Sequence, residues 1–266
     1  MAYRIDPTAG RVPPPGGFDA EATIVLVGCG GTGSILSEML ARLLYGRRAR
    51  LFLIDPDRVE ESNVGRQAFS PADVGGFKAE VLAKSLARRY GLSVGYSVLP
   101  YDPTLHATAF REAMTSRLRL IIGCVDNAPA RRAISTTLMG TASYGGRPPG
   151  VWWLDSGNGH SSGQVLLGNA VRPDDLRGAF GRASGVCRAL PSPSLQRPDL
   201  LESAPAPEPP PGPLDCAERV LRGEQGPTVN AMAATLATTF VSRLLDGSCD
   251  SFASYFDLAD GPQPSG

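Results

Sequence analysis

The stretch TIVLVGCGGTG, residues 23–33, decides the fold of the chain. Its first five residues form a short β-branched run, which is typical of a fully buried strand. The glycine-rich turn GCGGTG follows, and a helical pattern of apolar residues begins at Ser34. A second buried strand at residues 51–54 leads directly into Asp55. This order of strand, glycine-rich turn, helix and strand predicts a βαβ unit with parallel strands.

The same alternation continues along the chain. Helical patterns occupy about residues 78–90 and 104–114, and a further buried strand at residues 118–125 leads into Asp126. Another helix is expected to begin at Ala128. Strands that alternate with helices at this spacing predict an α/β fold, with a Rossmann-like, doubly wound sheet whose N-terminal half is parallel.

The pattern changes after Gly150. The segments VWWLD and GQVLLG are separated only by SGNGHSS, which is too short for a crossover helix, so they predict an antiparallel extension of the sheet. Trp152 and Trp153 point to opposite faces of such a strand, so one of them is expected in the core, and the other is a candidate to line a substrate channel.

The C-terminal third begins with a proline-rich stretch, residues 191–213, which predicts a loop. Helical patterns follow at residues 216–221 and 228–245, and SFASYFDL predicts a last strand. We therefore expect a lead-in at residues 1–22, a single domain at residues 23–259 that includes the proline-rich loop, and a tail at residues 260–266.

Composition narrows the class of protein. The 266 residues carry 26 basic and 26 acidic side chains, and this zero net charge argues against a protein that coats nucleic acid or a membrane surface. The sequence suggests neither a membrane span nor a signal peptide. None of the five cysteines has CxxC spacing, and His106 and His160 stand alone, so we expect no structural zinc and a reducing, cytoplasmic compartment. The same isolation argues against either histidine as a general base.

The glycine-rich turn also predicts a binding site. Gly28, Gly30 and Gly33 give GxGxxG between a strand and a helix, where free N–H groups and the helix dipole favour phosphate. Asp55, at the end of the next strand, is placed to accept hydrogen bonds from a ribose. Taken alone, these features favour a nicotinamide-dependent oxidoreductase.

The residues after Asp55 favour triphosphate chemistry instead. The segment IDPDRVEESNVGRQAFSPADVGGFK supplies two cations, Arg66 and Lys78, and Asp126 at the end of another strand could hold Mg²⁺. Hydride transfer requires neither the cations nor a metal.

These motifs together resemble the ThiF/MoeB superfamily of ubiquitin-activating-enzyme-like adenylyltransferases. GCGGTG, DPDRVEESNVGRQ, Lys78 and CVDN carry the likeness, and NVGRQAFSPADVG, CVDNAPARRAI, WLDSGN and GQVLLG are similar to the ThiF proteins of PRTRC systems. The resemblance implies that the chain binds Mg·ATP and a ubiquitin-like protein, whose C-terminal carboxylate becomes an acyl-adenylate. It also implies a homodimer and a possible conjugating-enzyme-like acceptor.

The resemblance assigns roles to residues at matching positions. Phosphates would lie against the glycine-rich turn, Asp55 would bind the ribose, Arg66 and Lys78 would stabilise phosphate charge, and Asp126 would hold magnesium. The remaining residues that it assigns to the nucleotide site are Gly28, Gly30, Gly31, Gly33, Asp57, Asn63 and Gln67.

Some family features have no clear counterpart here. The zinc-binding CxxC pairs of many relatives are missing, and neither Arg4 nor Arg11 stands in a motif that matches the N-terminal arginine of the family. For an enzyme thioester we expect Cys216 in the first turn of a helix, with Cys187 as the alternative. A nicotinamide-dependent oxidoreductase and a non-catalytic nucleotide-binding scaffold stay open, as does activation of a small carboxylate or of a carboxylate on RNA.

Overall fold

A computed structural model describes most of the chain. The described residues are 3–8, 14–111, 113–141, 150–181, 185–202 and 226–259. The expected helix at residues 216–221, with Cys216, lies outside them, as do residues 203–213 of the proline-rich stretch and the tail.

Strands and helices alternate as the sequence predicts. The strands of the described residues are β1 (Arg4–Ile5), β2 (Ala20–Val27), β3 (Ala49–Ile54), β4 (Val94–Ser97), β5 (Ser116–Gly123), β6 (Trp152–Asn158), β7 (Ser162–Gly168), β8 (Phe180–Gly181), β9 (Val186–Cys187) and β10 (Ala253–Asp257). The α-helices are α1 (Gly31–Leu44), α2 (Lys78–Tyr90), α3 (Pro103–Ala109), α4 (Ala128–Thr141), α5 (Pro193–Gln196) and α6 (Pro227–Asp246). Short 3₁₀ turns connect several of these elements.

Seven strands form one mixed sheet in the order β10-β7-β6-β5-β2-β3-β4. Strands β2 to β6 pair in parallel, whereas β7 is antiparallel to β6 and β10 is antiparallel to β7. The structure thus confirms the α/β class, the parallel N-terminal half and the antiparallel extension.

Helices cover both faces of the sheet, which explains the continuous apolar runs of its central strands. Alternate side chains of β2, such as Leu26, pack with α1, α2 and α6, and the others, such as Val25, pack with α3 and α4. Both tryptophans are core residues, so one is buried as expected and the candidate channel position of the other is excluded. Trp152 and Trp153 are 1% and 0% exposed, because β6 is covered on both sides.

The N-terminal segment joins the fold through a small second sheet in the order β1-β9-β8. Ile5 is buried, and its N–H donates to the carbonyl of Cys249 at 2.7 Å. Strands of two residues carry no periodic signal, so sequence patterns did not predict this sheet. No helix of the described residues is long and apolar enough to cross a membrane.

The parallel strands bring the predicted site together. Strands β2, β3 and β5 point the same way and run into Gly28, Asp55 and Cys124 at the same edge of the sheet. Ligands of open α/β sheets bind at this carboxyl edge.

Candidate functional site

A cleft of about 960 Å³ lies at the carboxyl edge of the sheet. It is lined by the turn after β2, the segments after β3 and β5, the end of β6 and the start of α6. The predicted site residues that line it are Gly28, Gly30, Gly31, Asp55, Asp57, Asn63, Arg66, Gln67, Lys78 and Asp126. Gly33 does not line the cleft, and Cys216 lies outside the described residues.

The glycine-rich turn depends on two glycines for different reasons. Gly28 has a φ of +91°, a region that favours glycine. Gly33 is buried in α1, where a Cβ atom would collide with the carbonyl oxygen of Gly28. The missing side chain of Gly33 therefore lets α1 approach the turn, and a phosphate contact at Gly33 stays a prediction.

Asp55 orders the turn through its carboxylate. It accepts hydrogen bonds from the N–H of Cys29 at 2.6 Å and from the N–H of Asp57 at 2.8 Å. Burial raises the pKa of Asp55, although these two hydrogen bonds and the charge of Lys78 favour the ionised form. Because each carboxylate oxygen can accept more than one hydrogen bond, Asp55 keeps capacity for a ligand hydroxyl.

Lys78 brings a buried cation to the cleft. It begins α2, it is 8% exposed, and its Nζ lies 3.3 Å from Oδ2 of the exposed Asp57. A helix N-terminus is an unfavourable place for a cation, so an anion in the cleft would complement it better than the exposed Asp57 alone does.

The segment after β3 presents three polar side chains. Asn63 holds the segment in a turn, because its Oδ1 accepts from the N–H of Glu60 at 3.0 Å. Arg66 is anchored through Nε to the carbonyl of Ser62 at 2.9 Å, which leaves its other nitrogens available to a ligand. Gln67 has a buried Oε1 that finds no hydrogen-bond partner among the described residues. A ligand hydrogen-bond donor in the cleft would satisfy it.

Asp126 lies on the opposite side of the glycine turn. It is exposed to the cleft, and the neighbouring Asn127 caps α4 by accepting from the N–H of Ala130 at 2.9 Å. The described residues contain no group of three His, Cys, Asp or Glu side chains that could hold a metal ion. Asp126 thus offers a single carboxylate, and a magnesium ion bound there would need further oxygen ligands, such as those of a nucleotide.

An ion pair that sequence reasoning missed lies beside the cleft, and one of its members, Arg131, lines it. Nε of Arg131, on α4, lies 3.2 Å from both carboxylate oxygens of Asp155, on β6, and the two residues are 7% and 0% exposed. Burial raises the pKa of Asp155 to about 6, while Arg131 acts in the opposite direction. The sequence does indicate a buried aspartate, because Asp155 comes at the end of the apolar run WWL. It does not indicate the partner, because Arg131 belongs to another element.

A second unpredicted group joins distant parts of the chain at the cleft. Thr32 donates to Asn158 at 3.0 Å and to Asn230 at 3.2 Å, and Asn158 donates to Asn230 at 2.9 Å. Their elements are α1, β6 and α6, so these bonds connect the glycine turn to the C-terminal half.

Tyr101 forms part of the cleft wall through a buried hydrogen bond. Its hydroxyl lies 2.7 Å from Nδ1 of His106. Burial and the charge of Arg119 lower the pKa of His106 to about 4, which favours the neutral ring in this bond. His106 is thus a neutral structural residue and does not line the cleft.

The described cysteines are poorly suited to nucleophilic chemistry. Burial raises the pKa of Cys29, Cys124, Cys187 and Cys249. Cys187 is 2% exposed, and its thiol donates to the carbonyl of Ala189 at 3.2 Å. Cys187 is therefore a poor candidate for a thioester.

Comparison with protein families gives a match over most of the chain. The model of the ThiF family matches residues 20–264. Among curated proteins, ubiquitin-like modifier-activating enzyme 5 of Xenopus laevis is 33% identical over 156 residues, which cover 54% of this chain and 36% of that protein. The enzyme 5 of Gallus gallus is 31% identical over 156 residues and covers the same shares. The match thus spans about a third of the length of these relatives.

Solved structures with the same fold are more distant in sequence. Selenomethionine PaaA has a TM-score of 0.56 and 16% identity, and the alignment covers 90% of this chain and 62% of PaaA. MccB of E. coli with succinimide has a TM-score of 0.54 and 18% identity, and the alignment covers 91% of this chain and 61% of MccB. Both likenesses concern the fold alone.

Proposed function

The chain belongs to the ThiF family, and from that premise we propose that it adenylates the C-terminal carboxylate of a ubiquitin-like protein with ATP. The observation that carries the proposal is one cleft in which a glycine turn, the cations of Arg66 and Lys78, and Asp126 converge. A nicotinamide site would need only the turn and Asp55. The relatives named as ubiquitin-like modifier-activating enzymes support a protein as the acyl substrate.

The proposed reaction needs positioning and charge stabilisation more than proton transfer. A carboxylate oxygen forms a bond to the α-phosphorus, the bond from that phosphorus to the bridging oxygen breaks, and pyrophosphate leaves with the electron pair. The nucleophile is already ionised at neutral pH, so no general base is required. Arg66 and Lys78 would stabilise the charge that moves onto the leaving group.

The residues of the cleft fit ATP and magnesium. The glycine turn would hold the phosphates, Asp55 would accept from the ribose, and the unpartnered Oε1 of Gln67 would accept from a ligand donor. Asp126 would hold Mg²⁺, which supplies charge neutralisation to the phosphates when bound.

ATP–pyrophosphate exchange with candidate ubiquitin-like proteins tests the proposal. We expect exchange that requires Mg²⁺ and the modifier, and a loss of exchange in Asp126→Ala. Asp174→Ala is the matched control, because Asp174 is an exposed aspartate away from the cleft. Absence of metal-dependent exchange with every candidate modifier would contradict the proposal.

Binding and exchange assays on the same protein distinguish the alternative functions that the sequence leaves open. Tight NADH binding without exchange would identify an oxidoreductase. ATP binding that survives Arg66→Ala, with no turnover of any modifier, would identify a scaffold. Exchange that requires a small carboxylate or an RNA, and that no protein supports, would identify that molecule as the acyl substrate.

We further propose that Cys216 accepts the acyl group as a thioester. The burial of Cys187 supports this choice between the two candidates. A non-reducing gel after incubation with ATP and modifier should reveal an adduct that thiols remove, and Cys216→Ser should abolish it. A thiol-sensitive adduct that persists in Cys216→Ser would exclude this cysteine.

The proposed partners are a ubiquitin-like protein, a conjugating-enzyme-like acceptor and a second copy of the chain. The homodimer is proposed because the family resemblance implies one. Sedimentation equilibrium tests it, and we expect a mass twice that of the monomer. The cytoplasmic compartment stays a prediction from the cysteine pattern.

A further inference from the structure

The carboxyl end of β6 carries a set of hydrogen-bond donors that the proposed nucleotide contacts do not use. Arg131 lines the cleft and is 7% exposed, and only its Nε is engaged, by Asp155. Its two terminal nitrogens bond to none of the residues that the structure describes. A buried guanidinium with free donors that faces a cleft is suited to an acceptor of negative charge.

The amide of Gln164 is a second hydrogen-bond donor beside Arg131, and both lie next to Gly157. Gly157 and Gln164 are opposite one another on β6 and β7, and both line the cleft. A Cβ atom built on Gly157 would lie 2.8 Å from Nε2 of Gln164 and 3.2 Å from Nη2 of Arg131. The amide and the guanidinium therefore converge above a residue that has no side chain.

The position of these donors separates them from the phosphate site. The glycine turn follows β2, whereas Gly157 lies near the end of β6, which is two strands away across β5. Neighbouring strands are about 4.8 Å apart, so the two groups lie roughly 10 Å apart across the sheet. Asp126, which follows β5, lies between them. A nucleotide phosphate on the turn would thus meet a second reactant held at the end of β6.

The charge at the end of β6 suits a carboxylate more than a triphosphate. The negative charge of Asp155 offsets that of Arg131, and Gln164 is neutral. The site thus offers several N–H donors with little net charge, which matches a monoanion or the carbonyl oxygen that replaces it.

We propose that Arg131 and Gln164 hold the carboxylate that attacks ATP, and that Asp155 is a positioning residue for the guanidinium. This inference rests on the proposed adenylation. One carboxylate oxygen accepts from the two side chains while the other forms the bond to phosphorus. After pyrophosphate leaves, the first oxygen remains as the carbonyl of the acyl-adenylate and keeps both hydrogen bonds.

Two stable ligands that differ only in the acyl group test this inference by calorimetry. Adenosine 5′-sulfamate lacks the acyl group, and 5′-O-(N-acetylglycylsulfamoyl)adenosine carries one. The ratio of their dissociation constants, the acyl preference, reports on the acyl group, including contacts to its carbonyl. Hydrogen bonds from a charged donor are among the stronger ones in proteins, so we expect wild type to prefer the acyl ligand by about tenfold or more.

Three variants should reduce the acyl preference at least fivefold while the dissociation constant of adenosine sulfamate changes less than twofold. Gln164→Leu removes the amide donor at a half-buried position. Arg131→Lys keeps the positive charge but removes the forked pair of guanidinium N–H donors. Gly157→Ala adds a methyl group where the two donors converge. Arg132→Lys is the matched control, because Arg132 does not line the cleft and donates to the carbonyl of Leu201.

The outcomes distinguish this inference from the proposed function. An acyl preference that the three variants leave unchanged would overturn it, as would a parallel loss of affinity for both ligands. Wild-type binding of adenosine sulfamate without an acyl preference would overturn it and leave nucleotide binding intact. If neither ligand binds to the wild-type protein, the adenylation proposal fails as well.

Discussion

At the residue scale, the two lysines of the chain differ sharply in their surroundings. Lys78 is buried at the cleft beside Asp57, whereas Lys84 is exposed and pairs with Glu80 one turn away on α2. An exposed pair of this kind contributes little to stability, because solvent screens it. The two positions therefore form a natural comparison of a cleft cation with a surface cation.

Lys78→Met should lower the kcat of ATP–pyrophosphate exchange by about 100- to 1,000-fold, which is the usual loss when one preorganised donor to a developing charge is removed. The methionine fills the same space, so the thermal midpoint should stay close to that of wild type. Lys84→Met is the control and should keep full exchange. Equal activity of the two variants would rule out a phosphate role for Lys78.

His106 gives the fold a dependence on pH. Its folded pKa of about 4 lies below the usual value near 6.5, so its neutral form stabilises the fold fully above pH 6.5. That stability is lost as the pH falls from 6.5 toward 4, because the unfolded chain binds the proton first. His106→Gln keeps a hydrogen-bonding partner for Tyr101 but does not titrate.

The free energy of unfolding should therefore fall more steeply in wild type than in His106→Gln. Between pH 7 and pH 5 the difference between the two proteins should change by about 2 kcal/mol. Urea unfolding at a series of pH values measures it. Carboxylates such as Asp155 titrate in both proteins and cancel in the comparison. Parallel pH profiles would show that His106 titrates normally in the folded state.

At the element scale, the absence of a side chain at Gly33 lets α1 pack closely against the glycine turn. Alanine normally favours a helix interior by up to about 1 kcal/mol over glycine. At Gly33, however, the added Cβ atom would collide with the carbonyl oxygen of Gly28, which belongs to the backbone. Gly140, near the end of α4, has open space around it.

The same substitution should therefore have opposite effects in the two helices. Gly33→Ala should lower the free energy of unfolding by about 1–3 kcal/mol through overpacking, and Gly140→Ala should leave it unchanged or raise it by up to about 1 kcal/mol. Urea unfolding of both variants tests this. A stable Gly33→Ala protein would mean that α1 can shift away from the turn.

Elements with a strong local signal were predicted closely from the sequence. Helix α2 spans residues 78–90 as expected, because its apolar residues recur on one face and Gly91 ends it in a left-handed conformation. The short strands β1, β8 and β9 were missed, because pairing in the folded chain defines them. The pair of Arg131 and Asp155 was missed for a related reason, since the two residues meet only when α4 packs on β6.

At the scale of the whole molecule, the cleft requires both halves of the chain. Thr32 belongs to the glycine-rich turn and to the start of α1, yet its hydroxyl hydrogen-bonds to Asn158 and Asn230, which are 126 and 198 residues further along. The site therefore assembles only when the parallel half and the antiparallel extension are both folded. This connectivity favours one cooperative unit, as the single expected domain implies.

Unfolding should accordingly be a single transition that ATP shifts as a whole. Trp152 and Trp153 lie in the middle of the sheet, so their fluorescence reports on its core, while far-ultraviolet circular dichroism reports on the helices. With Mg²⁺ and ATP at 100 times its dissociation constant, both signals should shift together by about 2.7 kcal/mol. At the same ATP concentration, the shift should be smaller in Lys78→Met, whose affinity is lower. Two separate transitions, only one of them sensitive to ATP, would instead divide the chain into independent units and place the nucleotide site in one of them.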